Sequence, residues 1–184
     1  AGANAAQWRI FKMGHVSYLA KEQAAESIRP IYDDIEKKLG VMLIFFKVMA
    51  HNPAILQGFL GLNSALSKTK LSHKLRELAY LKASQVNGCD YCVHYHRALC
   101  KKAGLSERQI DEVTQYESSD AYNDLERNVL RFAEGLTRSV KSDDALIARL
   151  REQLSEQELM ELAVTVATAN FTNRVNVSLK IDLP

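Results

Sequence analysis

Three residues in one short stretch have the types and spacing for chemistry: Cys89, Cys92 and His96. On a helix each residue advances about 100°, so Cys92 falls about 300° and His96 about 340° round from Cys89. The three side chains then share one narrow stripe, with His96 one turn beyond Cys92 and its imidazole beside that thiol. His94 falls on the other side. The pattern suits thiol redox chemistry. The thiolate is the nucleophile, and a free cysteine with a pKa near 8.5 is mostly protonated at neutral pH, so a neighbouring imidazole that takes the proton activates it. Asn87-Gly88 breaks the chain just before Cys89, which puts both cysteines in a first helical turn, where the dipole favours negative charge. A second thiol three residues away can attack the oxidised first one and close a disulfide. Cys92, beside His96, is the expected attacker and Cys89 the resolver.

Other readings of the same residues stay open at this point. A CxxC on a helix can be two small core side chains. It can also hold zinc: Cys89, Cys92 and His96 supply three ligands, and His94 or Glu77 a fourth. Structural zinc sites usually draw a second ligand pair from a distant segment, and here the distant imidazoles, His15, His51 and His73, are unpaired along the chain. Covalent haem needs His directly after the second Cys, where Val93 stands. The third cysteine, Cys100, falls on the same stripe and reads as a buried structural thiol. Tyr80, Tyr91 and Tyr95 flank the motif and read chiefly as packing.

The elements that must position these residues read as helices throughout, without alternating β-branched runs or hairpin turns. A first helix is expected over Lys21–Leu39, kinked or broken at Pro30 and stopped by Gly40. Val41–Ala50 is a short apolar segment in which Phe45 and Phe46 suit a core or a subunit interface. Asn52 caps a helix that starts at Pro53 and runs to about Lys68. Ser72 caps the next, to about Gln85, with Leu75, Leu78, Ala79 and Lys82 on one face. The CxxC segment runs from Cys89 to Ala103 and stops at Gly104. Ser106 and Gln109 form a capping box for a short helix to about Gln115. The helix over Asp124–Val140 should bury Val129, Leu130, Ala133, Leu136 and Val140. Ser142 opens a helix with Leu146, Ile147, Leu150 and Leu154 inward. Ser155 and Glu158 cap a last helix, Glu156 to about Leu179, apolar nearly all round from Leu159 to Phe171 and therefore expected at the centre. Its polar end, with Asn170, Asn173 and Arg174, suggests hydrogen bonds between chains.

Composition limits the rest. The chain has 184 residues, 47% hydrophobic and 25% charged, which supports a packed core and excludes intrinsic disorder for most of its length. Twenty-four basic against 22 acidic residues leave a net charge of +2, without the gathered basic excess of a nucleic-acid binder. No run reaches the roughly 20 apolar residues of a membrane span. The opening AGANAAQWRIFKMGH lacks an initiator Met and an apolar run long enough for a signal peptide, so a cytoplasmic location is expected. Residues 1–20 read as an N-terminal extension, partly processed or left over from expression, and 21–184 as one all-α domain.

At ELAYLKASQVNGCDYCVHYHRALCKKAG the sequence resembles the alkylhydroperoxidase D-like (AhpD-like) group of the carboxymuconolactone decarboxylase superfamily, in its peroxidase-related branch. The pattern is Glu77, eleven residues, Cys89, two residues, Cys92, three residues, His96. LGVMLIFFKVMAHNPAILQGF and NFTNRVNVSL are also similar. The resemblance implies an all-α AhpD-like domain, assembled as a homo-oligomer (dimer, trimer or hexamer). It implies reduction of hydroperoxides by the dithiol, with no cofactor, at the cost of an external reducing protein or thiol donor. By position, Cys92 attacks, Cys89 resolves, and His96 with Glu77 relays the proton. Glu77 is singled out by the resemblance alone; as a lone helical carboxylate it reads as a solvated group or a partner of Lys74 or Lys82. The sequence departs from the family at Tyr91, where characterised members carry a His before the second Cys, and a phenol with a pKa near 10 is a poor base at neutral pH. A general thiol–disulfide oxidoreductase of the same fold, or a non-catalytic or zinc-stabilised helical oligomer, is the alternative.

Overall fold

The computed structural model describes residues 14–183, and the N-terminal extension lies mostly outside them. Among the described residues every regular element is helical: α1 Arg29–Leu39, α2 Ile44–Met49, α3 Pro53–Leu66, α4 His73–Val86, α5 Asp90–Lys102, α6 Glu107–Asp111, α7 Asp124–Ser139, α8 Asp144–Arg151 and α9 Glu156–Ser178. They fall into two compact units, residues 14–61 with 179–183, and residues 62–178.

In the first unit the expected helix over Lys21–Leu39 is shorter. Two 3-10 turns, Lys21–Gln23 and Glu26–Ile28, precede α1, and Pro30 sits in its first turn. There a missing N–H costs nothing, so the proline starts the helix rather than kinking it. The apolar run after Gly40 also folds into a helix, α2, whose Phe45 and Phe46 are buried and cluster with Phe59. Asn52 caps α3 through the Ile55 N–H at 3.1 Å. Tyr18 donates to Asp182 at 3.0 Å and ties the two ends of this unit together.

The second unit holds the motif residues, and its centre is α4. Leu71, Leu75, Ala79 and Ala83 join Val129, Phe132 and Ala133 of α7, Leu146, Leu150 and Leu154 at α8, and Leu162, Val166 and Ala169 of α9. From the other side of α4, Leu78 and Leu81 pack with Cys100, Leu105, Ile110, Val113 and Leu130. Even the polar residues Glu77, Lys82 and Ser84 are buried on it. Lys82 is held by Glu134 at 3.2 Å and lies over the Tyr116 ring. Burial pulls its ammonium below the ordinary lysine value, and Glu134 opposes that. The expectation that α9 is the centre is corrected: its Met160 and Phe171 are 54% and 44% exposed. A run apolar on every side does not say which side is covered.

The ends of the elements follow side-chain chemistry. Ser72, Ser106 and Asn123 each accept a backbone N–H at a helix start. Asp143, rather than Ser142, caps α8. Val140, expected on the buried face of α7, lies one residue past its end at φ 59° and is exposed, because the helical register no longer governs it.

Candidate functional site

The site is built on the turn between α4 and α5. α4 ends at Asn87, Gly88 takes φ +63°, and the chain re-enters a helix with Cys89 as N-cap. Left-handed backbone is the reason for glycine here. Cys89 Sγ does the work of a capping oxygen and accepts the Cys92 N–H at 3.3 Å. Cys89 and Cys92 are joined as a disulfide, with Cα atoms 5.3 Å apart. Both residues are buried.

One helix away, Glu77 and His96 meet. The Glu77 helix and the CxxC helix pack as a hairpin, and His96 Nδ1–H donates to Glu77 Oε2 at 2.7 Å. The other carboxylate oxygen faces His73 Nε2 at 3.4 Å and Arg76 Nε at 3.8 Å. Burial pushes the Glu77 carboxyl up. The His96 hydrogen bond and the nearby His96, His73 and Arg76 charges outweigh it, leaving the group below the ordinary carboxylate value. With Nδ1–H committed to Glu77, Nε2 is the nitrogen free to take a proton. Tyr80 stacks on the imidazole at 3.7 Å and is hydrogen-bonded to Thr172 of α9. Its phenol is held above its ordinary value by burial, so it serves as a fixed neutral plate behind His96.

The sequence expectation placed the His96 ring against Cys92. In the structure Nδ1 of that ring bonds Glu77, which leaves Nε2 as the nitrogen for the thiol, and a further side chain, Asn176, reaches Cys92. Its Nδ2 donates to Cys92 Sγ at 3.1 Å. Asn170, Asn173 and Asn176, spaced three apart on α9, line up on the α4–α5 turn. Asn87 Nδ2 donates to Asn170 Oδ1 and Asn173 Oδ1, both at 2.9 Å, and Asn173 Nδ2 donates to Ser84 Oγ at 3.1 Å. Asn170 and Asn173 were expected to bond between chains; in the structure both have partners within this one, on the turn that carries the cysteines. The three-residue spacing in NFTNRVN was the available signal.

Cys100 is fully buried, its thiol set toward the Glu77 carbonyl oxygen at 3.6 Å, and burial pushes it up to about 12. His94 is exposed. Tyr91 is buried with its ring 4.9 Å from that of Tyr95. Among the described residues no group of three or more His, Cys, Asp or Glu side chains is arranged to hold a metal ion, and no helix is long and apolar enough to cross a membrane.

The carboxymuconolactone decarboxylase family model matches residues 53–135, a range that contains Glu77, Cys89, Cys92 and His96. The chain is similar to a protein of unknown function from Agrobacterium tumefaciens, provisionally named the antioxidant defence protein AhpD. The two are 26% identical with a TM-score of 0.69, over 73% of this chain and 93% of the other. It also superposes on a peroxidase-related protein from Silicibacter sp. TM1040, at 20% identity and TM-score 0.83, over 95% and 93% of the two chains. The debrominase Bmp8 matches at 24% identity and TM-score 0.79, over 92% and 91%. The last two likenesses are of fold.

Proposed function

We propose that this chain, which the carboxymuconolactone decarboxylase family model matches over residues 53–135, is an AhpD-like oxidoreductase that reduces alkyl hydroperoxides through Cys89 and Cys92. The observation that carries this reading is the cysteine pair at the start of α5, close enough to bridge, on the helix whose His96 is held by a buried carboxylate.

His96 Nε2 takes the proton of the Cys92 thiol, and Glu77 stabilises the imidazolium that forms. The Cys92 thiolate attacks the outer oxygen of the hydroperoxide. The O–O bond breaks, the alkoxide leaves with a proton returned from His96, and Cys92 becomes a sulfenic acid. Cys89 then attacks Cys92 Sγ. The S–O bond breaks, water leaves, and the disulfide closes. Two electrons from an external thiol or reducing protein restore the dithiol. The residues supply proton transfer and position, and the oxidant is the substrate, so the cycle needs no cofactor. Homo-oligomeric assembly belongs to the same proposal.

Thiol counting tests it. Reduced protein carries three thiols. One equivalent of an organic hydroperoxide is expected to consume two of them, with the Cys89–Cys92 disulfide found by peptide mass and the loss abolished in Cys92→Ser. Three thiols still free after minutes refute the reading. A general thiol–disulfide oxidoreductase is the second reading, favoured by Tyr91 where the family carries its histidine. It predicts exchange with a disulfide substrate under conditions where peroxide consumes nothing.

A further inference from the structure

The two sulfurs of the pair are not equivalent. Cys89 Sγ receives a backbone N–H at the helix start, at 3.3 Å. That placement favours a thiolate at Cys89, because the positive end of the helix and a fixed donor both point at it. Left to the turn alone, the first cysteine would be the more acidic thiol. Cys92 has His96 as its proposed base, but the turn supplies no donor to its own sulfur to offset the one at Cys89.

The counterweight comes from 84 residues away. Asn176 is 4% exposed, and its Nδ2 donates to Cys92 Sγ at 3.1 Å. A disulfide sulfur has no proton to give, so the amide must present its N–H side to it. Its Oδ1 is then left buried with no hydrogen-bond partner, alone in this among the buried side-chain nitrogens and oxygens of the described residues. An unpaired buried carbonyl is unfavourable. The amide is held against the sulfur despite that penalty, by the neighbouring asparagines of the same helix, which anchor α9 to Ser84 and Asn87.

We propose that Asn176 is a further catalytic residue of the dithiol: its amide N–H stabilises negative charge on Cys92, and so favours Cys92 over Cys89 as the thiolate that attacks. The same contact stabilises Cys92 as the leaving group when a donor thiol attacks Cys89 to reopen the disulfide. Asn176 touches the reacting sulfur and transfers no proton. The assignment of the attacker rests on the peroxide chemistry proposed above; the effect on the sulfur does not.

The ionisable groups tied to the pair by sequence or contact are Asp90, Tyr91 and His96 of α5 and, through His96, Glu77 and Tyr80 of α4; α9 contributes the neutral Asn176. Removing Asn176 leaves all of them in place. The experiment is alkylation of the reduced protein by iodoacetamide across a pH series, with each cysteine followed by peptide mass. Wild type is compared with Asn176→Leu, which is close in shape, and Asn176→Ala. In wild type, Cys92 is expected to react faster than Cys89 at neutral pH. In the variants the Cys92 profile should move up by about one pH unit, corresponding to about a tenfold loss of thiolate stabilisation, and Cys89 becomes the faster thiol.

The disulfide should also become harder to reduce, by about 30 mV for that tenfold change in a two-electron couple. Removing a stabiliser of the reduced form makes the potential more negative.

Two results overturn the proposal. One is a faster Cys89 in wild type, which needs no variant. The other is a folded variant in which the Cys92 profile stays put, or in which both cysteines shift together. Failure of peroxide turnover with the Cys92 shift present would instead overturn the peroxidase reading and leave Asn176 in its role.

Discussion

Glu77→Gln isolates what the buried carboxylate contributes, because it keeps the shape and removes the charge. In the wild type the carboxylate accepts the His96 Nδ1–H at 2.7 Å from an almost fully covered position. When Nε2 takes the Cys92 proton, the pair becomes an imidazolium beside a carboxylate. A hydrogen bond with a charged partner is worth about 1.5–3 kcal/mol net, and a neutral one about 0.5–1.5. The glutamine oxygen still accepts from Nδ1–H, so the loss is the difference, about 1–1.5 kcal/mol. Felt in the transition state, that is about a tenfold slower reaction. The assay is quenched thiol counting of reduced protein against excess hydroperoxide. His96→Ala, which removes the base itself, should cost about 100-fold or more.

The same substitution has a pH signature in stability. The Glu77 carboxyl sits below its ordinary value in the folded chain. Its contribution is therefore present above the unfolded carboxylate pKa of about 4.3 and lost as pH falls through the lower folded value. Urea unfolding of the wild type should weaken over that window, and Glu77→Gln should lack this part of the slope. A rate within about twofold of wild type in folded Glu77→Gln would refute the role given to the carboxylate.

Two further outcomes follow from the same geometry. Cys100, whose thiol burial pushes up to about 12, should stay unalkylated in the reduced native protein at about pH 8, where a free thiol near its ordinary pKa reacts; rapid labelling without denaturant would contradict that shift. Gly88→Ala places a Cβ at φ +63° with no atom within 4 Å of it. The cost should be backbone strain alone, about 1–2 kcal/mol by urea unfolding, and a larger loss would mean that the turn is packed more tightly than this geometry allows.

What could be read from the sequence was local. The CxxC, the break at Asn87-Gly88 and the caps at Asn52, Ser72, Ser106 and Ser155 all act over four residues or fewer, and fixed helix geometry relates spacing to position. The all-helical class followed from periodicity in the same way. Glu77 was out of reach of spacing alone, since 19 residues and a turn separate it from His96; only the family pattern pointed to it. Pro30 and Val140 misled because a residue obeys the helical register only inside the helix, and the ends are where the chain leaves it. Asn176 was seen only as polar. Nothing in a one-dimensional pattern says whether a polar stripe at the end of an apolar helix faces water, another chain or a sulfur.

That last gap has a physical reason. α4 buries three polar residues, and each has its partner on a different element: Glu77 on α5, Lys82 on α7, Ser84 on α9. A buried polar group costs free energy unless it is paired. The placement of α5, α7 and α9 around α4 is therefore constrained by three pairings as well as by apolar packing. The α9 contact is the one that reaches the cysteines, since the helix that pairs with Ser84 through Asn173 also brings Asn176 onto Cys92 one turn later. Loss of the Asn173–Ser84 pairing should thus act at a distance. In Ser84→Ala the Asn173 amide loses its acceptor, and the Cys92 alkylation profile should shift in the same direction as in Asn176→Leu, but by less. An unchanged profile would show that the Asn173–Ser84 bond is not what holds Asn176 against Cys92.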